Sequence, residues 1–217
     1  MGASLSISGA SLQGLFRNPL AEPGLIGVSS GAALGAATSI VIGSYFFNET
    51  IQKFMLPISA IIGSILVILI LLIIIKKFRF NNITYLLLAG IAINAFSGVG
   101  IGILTYISDD SELRDLTFWS MGSFNGASWE IIYPSIVIII ITIVWKLRFA
   151  RSLDILQLGE IEAYRLGVNI RKLRINIIIT SAIIIGAGVS LSGMIGFVGL
   201  VIPHIIRLTG IVKHRML

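Results

Sequence analysis

Long apolar runs separated by short polar joints dominate this chain, and that pattern leaves few folds open. A bilayer-spanning helix needs roughly 20 mostly apolar residues. Seven segments are candidates: residues 1–15, 24–47, 54–75, 84–107, 131–147, 173–191 and 195–211. No stretch between them is long enough for a soluble domain. The chain is 56% hydrophobic and only 12% charged, whereas a soluble fold must cover its exterior with polar groups. The pattern predicts an all-α, polytopic transmembrane helical bundle, with residues 1–217 as one membrane domain in contact with the lipid bilayer. Pro203 lies inside the last segment. Membrane helices tolerate this when neighbours satisfy the freed carbonyl.

The joints carry a second signal. Taking the joint after the first segment as cytoplasmic and alternating from there, every basic residue except Lys53 and Arg114 falls inside. The inner set is Arg17, Lys76, Lys77, Arg79, Lys146, Arg148, Arg151, Arg165, Arg171, Lys172, Arg174, Arg207, Lys213 and Arg215. Glu49, Asp109, Asp110, Glu112, Asp115 and Glu130 fall outside. This is the positive-inside pattern. It assigns the net charge of +6 to membrane topology and excludes a nucleic-acid partner. The first segment, rising ~22 Å at 1.5 Å per residue, is short for a ~30 Å hydrocarbon core. The expectation is a chain truncated at its start.

No Asp, Glu, Lys or Arg occupies the centre of a candidate span, which argues against ion-coupled transport. GxxxxGK[ST] and HExxH are absent, so ATP binding through a phosphate loop and zinc hydrolysis are not expected. Cysteine is absent, which removes thiolate chemistry. His204 and His214 are the only histidines. His204, beside Pro203, reads as a partner for a backbone carbonyl or headgroup rather than a lone metal ligand. The expectation is a non-enzyme with no cofactor and no metal.

Small residues recur at helical spacing: Gly27, Gly31 and Gly35; Gly98 and Gly102; Gly188, Ser192 and Gly196. Such stripes let membrane helices approach closely, and close packing is preferred here to a smooth pathway wall. Asn94 shares its span with Ser97 and Thr105. An Asn at membrane depth must be paired or face water, and both readings stay open.

Two joints stand out. In QGLFRNPLAEPGLIG, residues 13–27, the Asn18-Pro19 and Glu22-Pro23 pairs forbid a continuous helix. LDILQLGEIEAYRLGV, residues 153–168, keeps a helical period with Gly159 and Gly167 as punctuation. It could lie on the membrane or dock into a partner. Surface-lying helices prefer basic polar faces, and this segment is net acidic, which favours docking.

These same segments carry a resemblance. SGASLQGLFRNPLAEPGLIGVSSGAALG (residues 8–35), LLLAGIAIN (86–94), FWSMGSFNGASW (118–129), LGEIEAYRLGV (158–168) and GFVGLVIPHIIRL (196–208) resemble, in order, motifs of one family. It is the permease family of binding-protein-dependent ABC importers for iron-siderophores, haem and cobalamin. The likeness covers essentially the whole chain, and its first and last blocks are long and specific.

The resemblance implies a type II ABC importer permease of ten helices per subunit. About seven would lie here, with one missing before and two after. It implies a second permease subunit, two ABC ATPase subunits below, and an extracytoplasmic substrate-binding protein above. The location would be the bacterial cytoplasmic membrane. The implied cargo is an iron chelate, siderophore or haem, with a cobalamin permease or a non-functional fragment as alternatives. By the same resemblance Asn18, Leu20, Asn94 and Ser97 would line the translocation pathway. Residues 152–170 would form the cytoplasmic coupling segment, with Gly159, Glu160, Ala163, Leu166 and Gly167 at the ATPase and Ala163 facing its groove. The stretch ending at Trp129 would face the binding protein.

Overall fold

Ten α-helices in chain order account for nearly all of the computed structural model, which describes residues 1–46, 48–77, 83–124 and 128–210. They are α1 (Gly2–Phe16), α2 (Val28–Val41), α3 (Glu49–Lys77), α4 (Ile83–Ile107), α5 (Asp110–Met121), α6 (Trp129–Leu147), α7 (Ala150–Leu156), α8 (Glu160–Arg165), α9 (Ile170–Ser192) and α10 (Val198–Leu208). A 3-10 turn, Pro23–Ile26, precedes α2. No strand occurs among the described residues. Arg79, Lys213, His214, Arg215 and part of the FNGASW stretch lie outside those residues.

Each expected span contains a helix, but the spans are not equal. Val28–Tyr45, Phe54–Ile74, Tyr85–Ile107 and Ile170–Ser192 are long and apolar enough to cross a membrane. A fifth crossing exists if α6 and α7, bent by 49° at residues 148–149, count as one. The first segment is as short as expected, with 15 residues in α1, and the last is shorter than expected, with 11 in α10. They lie side by side. The backbones of Gly9 and Gly199 approach so closely that a Cβ on Gly9 would overlap the Gly199 carbonyl. The Arg207 guanidinium reaches the Gln13 Oε1 further along the same pair.

The hub is α9, which packs on α1, α2, α3 and α6. Its buried face includes Leu173, Ile177, Ile178, Ile184, Ile185 and Val189, a helical repeat of three and four. Leu5, Leu12, Leu15, Val67 and Leu71 close the same cluster from α1 and α3. Much of α4 is instead uncovered, with Phe96 and Tyr106 strongly exposed. In lipid such a face carries no penalty.

Small residues set the α2–α3 contact as expected. A Cβ on Gly31 would stand 2.8 Å from the Gly63 carbonyl oxygen, so only glycine permits this approach. The Gly98 and Gly102 stripe on α4 behaves differently, because a Cβ at either position meets nothing within 4 Å. Close packing there is not found among the described residues.

The end of α1 and the α7–α9 joint, expected on one side, meet at one end of the bundle. The Gln157 side chain donates to the Gly14 carbonyl at 2.8 Å, and Glu160 pairs with both Arg17 and Arg174. At the other end α5 packs on α2. Asp109 starts α5 with a reciprocal cap: its side chain accepts from the Ser111 and Glu112 amides, and Glu112 accepts from the Asp109 amide. The Glu112 backbone hydrogen bond, followed by the Ser111 hydroxyl, holds the Asp109 carboxyl below its ordinary value. The Ser44 hydroxyl donates to the Glu112 Oε1 at 2.5 Å and ties α5 to the end of α2.

Candidate functional site

The non-helical joint after α1 is built by its own side chains. Arg17 ends α1 in the left-handed region, φ 49°. The Asn18 Oδ1 then accepts from the Leu20 amide at 2.9 Å, an Asx turn. Asn18 and Leu20 are both exposed. Pro23 opens the 3-10 turn, and Gly27 at φ 82° hands the chain to α2.

Asn94 resolves the choice between pairing and facing water in favour of pairing. Its Oδ1 accepts from the Ser30 hydroxyl and its Nδ2 donates to the Gly24 carbonyl at 3.1 Å. Asn94 therefore fastens α4 to the joint that carries Asn18 and Leu20. Ser97 does not line open space in this structure. It is buried, because it points toward the bundle while Phe96 and Val99 on the same helix point away.

At the opposite end of α1 from Met1, α7 and α8 form a bent pair. Gly159 (φ 109°) and Gly167 (φ 83°) bracket α8, both in backbone that favours glycine. Glu160 turns inward, 2.6 Å from Arg174 and 3.8 Å from Arg17. Ala163, expected at the ATPase groove, turns inward: it is 0% exposed and belongs to the main core cluster, and its carbonyl accepts from the Val168 amide at 2.9 Å. Packed this way, it lies on the opposite side of α8 from the exposed face. The outward face of α8 carries Ile161 (71% exposed) and Tyr164 (77%), flanked by Leu158 and Leu166. Helical spacing explains the swap: residues 161 and 164 share a face that 163 does not.

Two features escaped the sequence. Lys146, expected among the solvated inner charges, is 3% exposed. Its Nζ lies 2.6 Å from the Ser181 Oγ and 3.5 Å from the Ser8 Oγ, inside the α1–α6–α9 contact. A basic cluster at a span's end gives no hint of which lysine turns inward. The second is the long-range bond from the Phe197 amide to the Glu22 Oε1, 2.9 Å. Together with Leu5, Ser29, Ser120 and Met194 these residues line a cavity of about 320 Å³. Among the described residues no cluster of His, Cys, Asp or Glu could hold a metal ion.

This arrangement of broken helices around inner joints matches a known family over its full extent: the FecCD transport family model covers residues 1–217. The chain belongs to that family. It is 46% identical over 217 residues to the hemin transport system permease protein HmuU of Yersinia pestis, covering 100% of this chain and 64% of that protein. It is 40% identical over 217 residues to the vitamin B12 import system permease protein BtuC of Vibrio cholerae, with the same coverage. A solved structure described as an inward-facing conformation of a metal-chelate type ABC transporter superposes with a TM-score of 0.88 at 34% identity. It covers 99% of this chain and 66% of that one. The chain thus spans slightly less than two thirds of the length of these relatives. Family and helices together make it a multi-pass membrane protein of that family.

Proposed function

We propose that this chain is the pathway-forming part of a transmembrane subunit in an ATP-driven importer for an iron chelate, with haem as the favoured cargo. The observation that carries the reading is the 46% identity to a hemin permease along the entire chain, against 38–40% for the vitamin B12 permeases. The subunit would sit in the bacterial cytoplasmic membrane and perform no covalent chemistry. ATPase subunits would engage the α7–α8 end, where Ile161 and Tyr164 stand exposed. A substrate-binding protein would cover the α5 end, and a second permease would complete the path. ATP binding and hydrolysis would move the helices between two rigid packings. Asn18 and Leu20 are the candidates for the inner wall of the path, because both are exposed in the joint that follows α1.

The test is growth of a deletion strain on single iron sources. The permease, restored with its ATPase and binding protein, should allow growth on haem. Rescue of cobalamin-dependent growth alone would overturn the iron-chelate reading.

A further inference from the structure

The head of α10 holds a strained aromatic residue. Phe197 has φ 65° and ψ −28°, and the Val198 amide donates to the Gly196 carbonyl at 2.8 Å. Phe197 is thus the central residue of a γ-turn with positive φ, a rare and strained form. Arg17, the other described non-glycine residue with positive φ, differs: it sits in ordinary left-handed geometry at a helix C-terminus. Strain of this kind persists only where the surroundings enforce it.

The enforcing contact comes from 175 residues away. The Phe197 amide donates to the Glu22 Oε1 at 2.9 Å, and a carboxylate is favoured at a helix N-terminus. No basic side chain among the described residues forms an ion pair with Glu22, so this backbone contact is not rivalled by a salt bridge. The Phe197 ring is 71% exposed, and it borders the 320 Å³ cavity that Glu22 also lines. One hydrogen bond therefore joins the joint after α1 to a strained turn beside open space.

We propose that Glu22 is a positioning residue. Its carboxylate latches Phe197 in the strained turn, and breaking that bond during the ATP cycle lets the turn relax and swings the ring across the cavity. The inference rests on the transport reading above and adds to it a specific pair that switches.

Amide hydrogen exchange of the segment around Phe197, in the permease assembled with its ATPase, reads the latch directly. The Phe197 amide should be protected without nucleotide and should exchange faster with a non-hydrolysable ATP analogue. Glu22→Ala should raise nucleotide-free exchange by about tenfold, the loss of one charge-assisted bond. Glu22→Gln, which keeps an acceptor oxygen, should stay near wild type. Phe197→Gly removes the strain without touching the carboxylate, and guards against a Glu22→Ala protein that does not fold. It should keep the amide protected with and without nucleotide and lower haem uptake per ATP hydrolysed. Unchanged exchange in folded Glu22→Ala would overturn the latch. Protection in wild type that never responds to nucleotide would make the bond a static brace and overturn the switch. Phe197→Gly exchange that rises with nucleotide as in wild type would also overturn it. Wild-type complex that hydrolyses ATP without moving haem would sink the haem reading alone, since exchange still decides the latch.

Discussion

The Lys146 Nζ lies 2.6 Å from the Ser181 Oγ in a fully enclosed contact between α6 and α9. A buried donor or acceptor left without its partner costs about 1–3 kcal/mol. Replacing a buried polar group and its partner by apolar side chains of similar shape can instead be nearly neutral.

Ser181→Ala, which leaves the Lys146 amine without its nearest partner, should therefore destabilise the bundle by about 1–3 kcal/mol, while Lys146→Met should cost less. In the double variant the Ser181→Ala penalty should largely vanish, since contacting residues are not additive. Unfolding in mixed detergent micelles checks this. A penalty for Ser181→Ala that persists beside Lys146→Met would mean the hydroxyl acts independently of the lysine.

Glycines at matching sequence spacing should differ in tolerance. Gly31→Val would press a side chain into the Gly63 backbone and should cost about 1–3 kcal/mol or more, the usual effect of overpacking. Gly98→Val has open space and should fall within about 0.5 kcal/mol of wild type. Equal effects in thermal unfolding would contradict the packing described for α2 and α3.

The helices were largely legible because their signals are local. The apolar runs name α2, α3, α4, α6 and α9. The failures were failures of direction. A sequence identifies residues 158–168 as a polar-apolar helical joint, but only the placement of α8 against α9 decides that Ala163 turns inward and Ile161 outward. Asn94 had to be paired or face water, and sequence alone could not choose, because its partners, Ser30 and Gly24, lie 64 and 70 residues away. Glu22 and Phe197 are further apart still, and a positive φ at a phenylalanine leaves no mark in composition or periodicity.

Acid should loosen the start of α5. The Asp109 carboxyl is held below its usual value of 3.8 by the Glu112 amide and the Ser111 hydroxyl. A carboxyl with a lowered folded value stabilises the fold above its unfolded value and loses that contribution as pH falls through the folded one. The window therefore lies below about pH 4. Exchange at the Ser111 and Glu112 amides, corrected for intrinsic rates, should rise between pH 5 and pH 3. In Asp109→Asn, whose side chain caps without titrating, the rise should be absent. If both proteins respond alike, the cap is not what titrates.

The outward face of α8 offers the sharpest separation of fold from docking. Ile161 and Tyr164 stand 71% and 77% exposed on a helix whose opposite side, Ala163, is fully enclosed. Glu160 is already committed to Arg174 and Arg17, so it braces the helix against α9 and α1 rather than reaching outward. Ile161→Asp and Tyr164→Asp should leave membrane insertion and thermal stability unchanged, because neither side chain packs inside this chain. Each would place a carboxylate in an apolar contact with the ATPase. Burying an unpaired charge costs several kcal/mol, and at 1.4 kcal/mol per decade a loss of ~3 kcal/mol weakens association about a hundredfold. Co-purification with the ATPase and haem uptake should both fall. Ala163→Glu should behave oppositely, losing stability before any question of docking arises, since its carboxylate enters the core beside Val168 and Leu173. If Ala163→Glu inserts and folds normally while Ile161→Asp and Tyr164→Asp keep their ATPase, then α8 is turned the other way in the working transporter.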